Sequence, residues 1–290
     1  MSSLLAIIDG DVLAYQACEA RWQSKAKIEG NTSFVSLDWG GKKVAPEFTK
    51  EEDDIYLMKS WDNFQRKLQD LLENLYCTDY LMAVKGDGNY RYQLYKEYKM
   101  NRHADPKKRN EFVPILRDLA VQTGLAVEST GREADDMLRI WANEARAVGQ
   151  DYIICSIDKD LKCIPGKHWL MHKEMKIEVS EEAACRHYYE QLLKGDPTDN
   201  IPGVAGIGEV KAAKALAPFS KEADFQQQVV EKYMAAYSKE WKSQLLSNAK
   251  MIHLQNHEHD YFSLDNWPIA RAIEAMEKSG EIRWDDPASE

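Results

Sequence analysis

Four short apolar runs, LLAIID from Leu4, YLMAV from Tyr80, LAVEST from Leu125 and YIICSI from Tyr152, alternate with helix-patterned stretches, and acidic residues stand at or just beyond the ends of most of them. Runs of this kind, too apolar to leave one face in water and separated by helices, are parallel strands of a doubly wound α/β sheet. In such a sheet the functional crevice lies outside the carboxyl ends of the strands. Nine acids spread over two thirds of the chain are thereby drawn to one edge: Asp9; Asp87; Glu133, Asp135 and Asp136; Asp158 and Asp160; Asp196 and Asp199. Any one cluster is what a helix cap or a solvated face ordinarily carries. Five of them disposed in this way are not. Carboxylates so gathered repel one another and take up protons unless a cation compensates, and an all-oxygen donor set suits a hard divalent ion, Mg²⁺ or Mn²⁺, that binds phosphate as well.

The other segments fit around this frame. DVLAYQACEARW reads as the helix after the first strand, and FVSLDWGGKKVAPEF as a hairpin about Gly40 and Gly41 in a surface elaboration from Glu29 to Asp54. Leu57, Trp61, Phe64, Leu68, Leu71, Leu72 and Leu75 recur at helical spacing and form one apolar stripe. Helices are expected over VPILRDLAVQTG and GREADDMLRIWANEARAVG, and beyond Val179 the pattern is almost wholly helical. A boundary near Ser180 divides an α/β unit, 1–180, from a helical region, 181–290. The net charge of -10 argues against a uniformly basic nucleic-acid coat, but acids concentrated in a metal site leave local charge to decide the partner. Five cysteines with no CxxC pair point to a reducing compartment. No run approaches the roughly 20 apolar residues of a membrane span or forms a signal peptide. A soluble cytoplasmic protein is expected.

Three strings carry chemistry. GREADD puts Glu133, Asp135 and Asp136 on the first turn of a helix, where the dipole favours anions. SIDKDL places Asp158 and Asp160 just past an apolar strand. GDPTDNIPGVAGIGEVKAAKAL, from Gly195, reads as a helix end, a tight turn and a glycine hairpin feeding a helix. Gly203, Gly206 and Gly208 leave backbone amides open to a phosphate at the next helix start, with Lys211 and Lys214 to reinforce it. The string is not a dinucleotide fingerprint, because no strand precedes it and the third glycine is missing, nor is it a Walker loop. Between Lys85 and Arg109 eight bases (Lys85, Arg91, Lys96, Lys99, Arg102, Lys107, Lys108, Arg109) face three acids, a local +5. Tyr90, Tyr92, Tyr95 and Tyr98 interleave with them, which suits base stacking beside phosphate contacts, although two of the four are expected to fold onto the core. HEHD, His257 to Asp260, reads as an exposed loop rather than a metal site.

Taken together, DGD at Asp9, YRYQLYKEYKMNR from Tyr90, GREADD, SIDKDL and GDPTDNIPGVAGIG resemble the flap endonuclease and 5′-to-3′ exonuclease family from about Asp9 to Leu216, and most of all its stand-alone phage members. The resemblance implies a PIN-like parallel-sheet nuclease core with a helical arch at about 88–120. It also implies a helix-three-turn-helix (helix-hairpin-helix) clamp for duplex DNA at about 190–216. By similarity, one ion is held by Asp9, Asp87, Glu133 and Asp135 and a second by Asp158, Asp160, Asp196 and Asp199, with Asp136 supporting either. Lys99 and Arg91 become electrostatic partners of the scissile phosphate, Asp135 and Asp158 the central catalytic carboxylates, and Tyr98 a platform for the terminal base. Lys96, Arg102, Gly206, Gly208, Lys211 and Lys214 become DNA contacts, with K⁺ at the hairpin carbonyls.

The implied reaction is phosphodiester hydrolysis with two ions roughly 4 Å apart. Its substrates would be duplex DNA with a 5′ end or 5′ flap and RNA:DNA hybrid. A monomer working in phage replication, recombination and RNA primer removal, within the host cytoplasm, is the implied setting. Two other readings stay open, a PIN-type ribonuclease and a non-catalytic DNA-structure binding module.

Overall fold

The computed structural model describes residues 3–18, 36–37, 43–44, 49–100, 112–267, 270–271 and 273–274. Six strands form the main sheet. β1 (Leu5–Asp9) lies at its centre between β4 (Asp79–Lys85) and β6 (Tyr152–Ser156), with β5 (Val127–Ser129) outside β4, and β7 (Gly166–Leu170) and β8 (Met175–Val179) outside β6. All neighbours are parallel except β7 and β8. A separate two-stranded antiparallel pair, β2 (Ser36–Leu37) and β3 (Lys43–Val44), sets Leu37 opposite Lys43, on either side of the expected Gly40–Gly41 turn. Arg102 lies outside the described residues, as do Lys107, Lys108 and Arg109 and most of the elaboration around the hairpin.

Strand alternation builds the two layers. Among the described residues, four helices precede β5: α1 (Gly10–Ala17), α2 (Lys50–Leu75), the single turn α3 (Arg91–Leu94) and α4 (Phe112–Gln122). Ala6 and Ile8 of β1, with Met82 and Val84 of β4, face α1, α2 and α4, where Leu13, Phe64, Leu68 and Leu116 complete one core. Ile7, Ala83 and Ile154 point the other way, onto Leu138 and Ala142 of α5 (Ala134–Ala147). Each buried Leu, Ile, Val, Met or Phe side chain here contributes about 1.5–3 kcal/mol, and a one-residue slip of β1 would exchange both faces at once. α2 starts where Thr49 and Glu52 form a capping box, and it stops at Tyr76 in the left-handed conformation.

The β7–β8 hairpin has no counterpart in the sequence pattern. Its strands bury only His168 and Val179 and alternate with Lys167, Lys176 and Glu178. An antiparallel edge tolerates such polarity, which is why no apolar run marks it. Beyond Ser180, which caps α6 (Glu181–Lys194), come α7 (Glu209–Leu216), α8 (Glu222–Tyr237) and α9 (Trp241–Ile252), packed about Tyr189, Phe225, Tyr233, Trp241 and Leu245. Among the described residues no helix is long and apolar enough to cross a membrane.

Candidate active site

Gly10 lets β1 pass directly into α1. A Cβ there would stand 2.7–2.9 Å from Val84, Met82 and the Ala83 carbonyl, so only glycine permits the close approach that leaves Asp9 at the carboxyl edge as the cap of α1. Asp9 is buried; its Oδ1 accepts from the Val12 N–H at 3.4 Å and its Oδ2 from the Ser156 hydroxyl at 2.8 Å. Ser156 also accepts from the Asp158 N–H at 3.0 Å, and Asp158 Oδ1 accepts from the Asp160 N–H at 2.8 Å. This serine does not figure among the residues that spacing and resemblance pick out. Its only sequence signal is a hydroxyl ending a wholly buried strand.

Glu133 caps α5, and Asp135 and Asp136 stand in its first turn. Asp135 falls within the field of Asp9, Asp158 and Glu133. Burial, then these like charges, push its carboxyl well above the usual range, against the opposing charge of Lys99. Burial followed by Asp11 and Asp158 raises Asp9 to about 7. Burial with Asp158 and Asp196 raises Asp160 to about 6. The topology thus gathers Asp9, Asp135 and Asp158, with Asp160 and Asp196 beside them, and the group holds more negative charge than its surroundings neutralise. Among the described residues, no three His, Cys, Asp or Glu side chains are placed closely enough to enclose an ion as they stand. Chemically the set fits a hard divalent cation, being all-oxygen and mutually repulsive, with Asp9 buried and the other four half-buried.

Glu133 behaves differently. Burial alone would raise it, but Lys99 and Arg91 outweigh burial and hold it below its ordinary value. Lys99, in the left-handed region at φ 57, pairs with Glu133 and lies 3.5 Å from Asp199 Oδ2. Asn89 Nδ2 donates to Glu133 at 2.9 Å.

Three expectations are corrected by these placements. Arg91 does not look out toward a phosphate. It is 1% exposed, forks onto Asp136 at 2.7 and 2.9 Å, and donates to the Met251 and His253 carbonyls at 2.8 and 2.6 Å, so its donors are taken up inside the protein. Asp136, completely buried, takes that fork along with the Glu133 and Gln255 N–H groups, which turns it away from the metal set. Tyr98 is 2% exposed, its hydroxyl 3.1 Å from Glu133 and 3.2 Å from Asp199 and its ring against Ile201 and Met251, so it offers no face to a base in this arrangement. Asp87 is also set apart. Its side chain is exposed beyond β4, and its backbone is tied through Glu128 and Gly131.

The α6–α7 turn is built on two glycines. Gly195 (φ 68) and Gly203 (φ 62) press together so closely that a Cβ on Gly203 would stand 2.3 Å from the Gly195 nitrogen. Asp196 and Ile201 bridge the loop, and Asp196 Oδ1 accepts from the Thr198 N–H at 2.8 Å. Gly206 and Gly208 are exposed, the latter capping α7, and Lys211 Nζ donates to the Gly206 carbonyl at 2.8 Å. Lys96 and Lys214 are exposed.

The raised Asp9 carries a stability signature. A carboxyl whose folded-state pKa exceeds its unfolded value contributes stability that is fully present below about pH 4 and is lost as pH rises through about 7. In EDTA at pH 8, Asp9→Asn is therefore expected to melt above the wild type by about 2–4 °C per kcal/mol relieved, with a flatter pH dependence. Calorimetry that found the variant lower at pH 8 would contradict this.

Residues 42–190 match the family described as 5′-3′ exonuclease, N-terminal resolvase-like domain. DNA polymerase I of Bacillus caldotenax is 33% identical over 233 residues, which make up 76% of this chain and 24% of that protein. Flap endonuclease Xni of Pseudoalteromonas translucida is 29% identical over 171 residues, 53% of this chain and 64% of that protein. The chain spans 14% and 24% of the length of two DNA polymerase I relatives, from Rhizobium leguminosarum and Bacillus caldotenax. In fold it resembles the bacteriophage T5 flap endonuclease crystallised as a pseudo-enzyme-product complex with DNA and metal ions. The TM-score is 0.60 at 18% identity, over 96% of this chain and 97% of that one.

Proposed function

The chain belongs to the 5′-3′ exonuclease family, and from that membership we propose a divalent-metal-dependent 5′ nuclease that hydrolyses phosphodiester bonds near the 5′ ends and 5′ flaps of duplex DNA. The observation that carries it is the placement of Asp9 at the end of β1, Asp135 in the first turn of α5 and Asp158 just past the end of β6, within one another's electrostatic field and beside Lys99. In this reading Asp9, Asp135 and Asp158, with Glu133, hold one ion, and Asp158, Asp160 and Asp196 share the second. Asp87 and Asp136 drop from first place because the first is exposed and the second is committed to Arg91; Asp199, which shares Lys99 with Glu133, stays at the margin of the second ion. A divalent ion such as Mg²⁺, held by these carboxylates, would supply Lewis-acid polarisation of a phosphoryl group and a more acidic water.

The protein's own contribution is positional. Ser156 and the Val12 N–H orient Asp9, and the first turn of α5 fixes Glu133 and Asp135. The Lys99 ammonium stands where it can meet charge that grows on phosphate oxygens. The α6–α7 turn, with its exposed glycines and Lys211 and Lys214, is the proposed duplex grip, with K⁺ at its carbonyls. A division at Ser180 into nuclease and helical regions belongs to the same reading, as do removal of RNA primers and a role in phage replication.

The experiment is cleavage of 5′-labelled flap, nicked, blunt and RNA:DNA hybrid duplexes in Mg²⁺ and in EDTA. Products in Mg²⁺ alone are expected, carrying 5′-phosphate, and cleavage undiminished by EDTA would sink the metal assignment. Lys211→Ala with Lys214→Ala is expected to weaken duplex binding and flatten the slope of log affinity against log salt by about 0.9 for each phosphate no longer neutralised. An unchanged slope would remove the turn from the interface.

A further inference from the structure

The end of α9 and the stretch after it lie beyond the family-matched residues 42–190, yet they bond to α5 next to the carboxylates. Arg91 Nε and Nη2 donate to the carbonyls of Met251 and His253, and the Gln255 N–H donates to Asp136 at 3.1 Å. Asn256 Oδ1 accepts from Arg139 at 2.9 and 3.1 Å, and its carbonyl accepts from Asn143 at 3.0 Å. The stretch is closed on itself by one carboxylate oxygen. Asp260 Oδ2 accepts from the Asn256 N–H and Nδ2 at 2.9 and 2.8 Å and lies 3.1 Å from His253 Nε2. Tyr261 packs edge-on against Tyr90, 5.2 Å between ring centroids. Asp260, which the sequence places in an exposed HEHD loop, is 12% exposed; His257, Glu258 and His259 are the exposed members.

We propose that residues 251–261 are a positioning strap. They clamp α5 at Asp136, Arg139 and Asn143 and hold Arg91, and so fix the first turn from which Glu133 and Asp135 project. The reason is geometric: Asp135 and Asp136 are adjacent on one helical turn, so the direction of one sets the direction of the other. Asp136 points into Arg91 and the strap, and Asp135 consequently points toward Asp9 and Asp158. Asp260 touches none of the reacting groups. It acts through Asn256 and His253, as outer-shell partners of metal ligands do when they set activity or metal affinity by about 10–100-fold. The assignment rests on the nuclease reading for its effect on turnover, but not for its effect on α5.

The test is Asp260→Ala in the full chain, with Asp260→Asn as the conservative variant whose amide oxygen still accepts from Asn256. Single-turnover flap cleavage, Mg²⁺ half-saturation, duplex affinity and hydrogen–deuterium exchange over residues 133–140 are read together. Asp260→Ala is expected to bind duplex within about twofold, to cleave about 10–100-fold more slowly or to need that much more Mg²⁺, and to lose exchange protection over 133–140. Asp260→Asn should recover most of each. Unchanged protection at 133–140, or wild-type turnover and Mg²⁺ dependence with only a lower melting temperature, overturns the strap. If the wild type cuts none of the substrates, the nuclease reading is what fails, and the exchange measurement still decides the strap.

Discussion

Asp135→Asn is expected to lower cleavage of a 5′-flap duplex by on the order of 10³-fold at saturating Mg²⁺, about 4 kcal/mol of barrier, while duplex affinity stays within a few fold. The substitution keeps the shape and the helix start, where Glu133 remains the cap and Asp136 still closes the capping box. It removes a charge that faces both Asp9 and Asp158. A neutral amide there relieves the repulsion that makes the site receptive to cations, so metal affinity falls together with rate. Asp158→Asn is expected to behave alike, because Asp158 adjoins Asp9, Asp135 and Asp160. Gel-resolved single-turnover kinetics, with binding measured in Ca²⁺, separate the two effects. Normal cleavage by either variant in excess Mg²⁺ would refute the proposed carboxylate assignment.

Arg91→Ala is expected to cost about 3–5 kcal/mol of stability, since it leaves Asp136 as a buried charge without its partner. At about 2–4 °C per kcal/mol in a chain of this size, the melting temperature should fall by roughly 6–20 °C. Burial alone would raise the Asp136 carboxyl; the charge and hydrogen bonds of Arg91 outweigh burial and hold it below its ordinary value. A depressed carboxylate contributes stability that is present above its unfolded pKa of about 4 and is lost as pH falls through the folded-state value. Without Arg91 the acid limb of the stability curve should therefore move to higher pH. Replacing both partners, Arg91→Met with Asp136→Leu, should recover part of the loss, and the coupling energy from the double-mutant cycle reports the pair. A melting temperature within about 1–2 °C of wild type for Arg91→Ala would mean that the fork carries no stability.

Much of the frame was legible in the chain because its signals are local. Apolar runs, the stripe from Leu57 to Leu75 and the GREADD helix start each declare themselves within about twenty residues. The mostly parallel sheet with an acidic edge follows from them. The β7–β8 hairpin was not legible, since a polar antiparallel edge leaves no apolar run. Direction was the harder quantity. Asp87 follows an apolar strand as Asp158 does, but two residues past the end of β4 the backbone turns its side chain to solvent. Asp135 and Asp136 are indistinguishable by position, and Tyr98 reads like its exposed neighbour Tyr92.

By itself the sequence determined the parallel strands and their helices, their alternation, and which end of the sheet collects negative charge, since strand and helix periodicities and chain order need no distant partner. Only the tertiary structure decided which acids face the site and which basic residues remain near it. Arg91 is bound to Asp136, 45 positions away, and to carbonyls 160 and 162 positions away, and Tyr98 is buried by Ile201 and Met251. A charge or an aromatic ring is committed by what packs against it, and those partners lie in distant segments whose packing the local pattern cannot place.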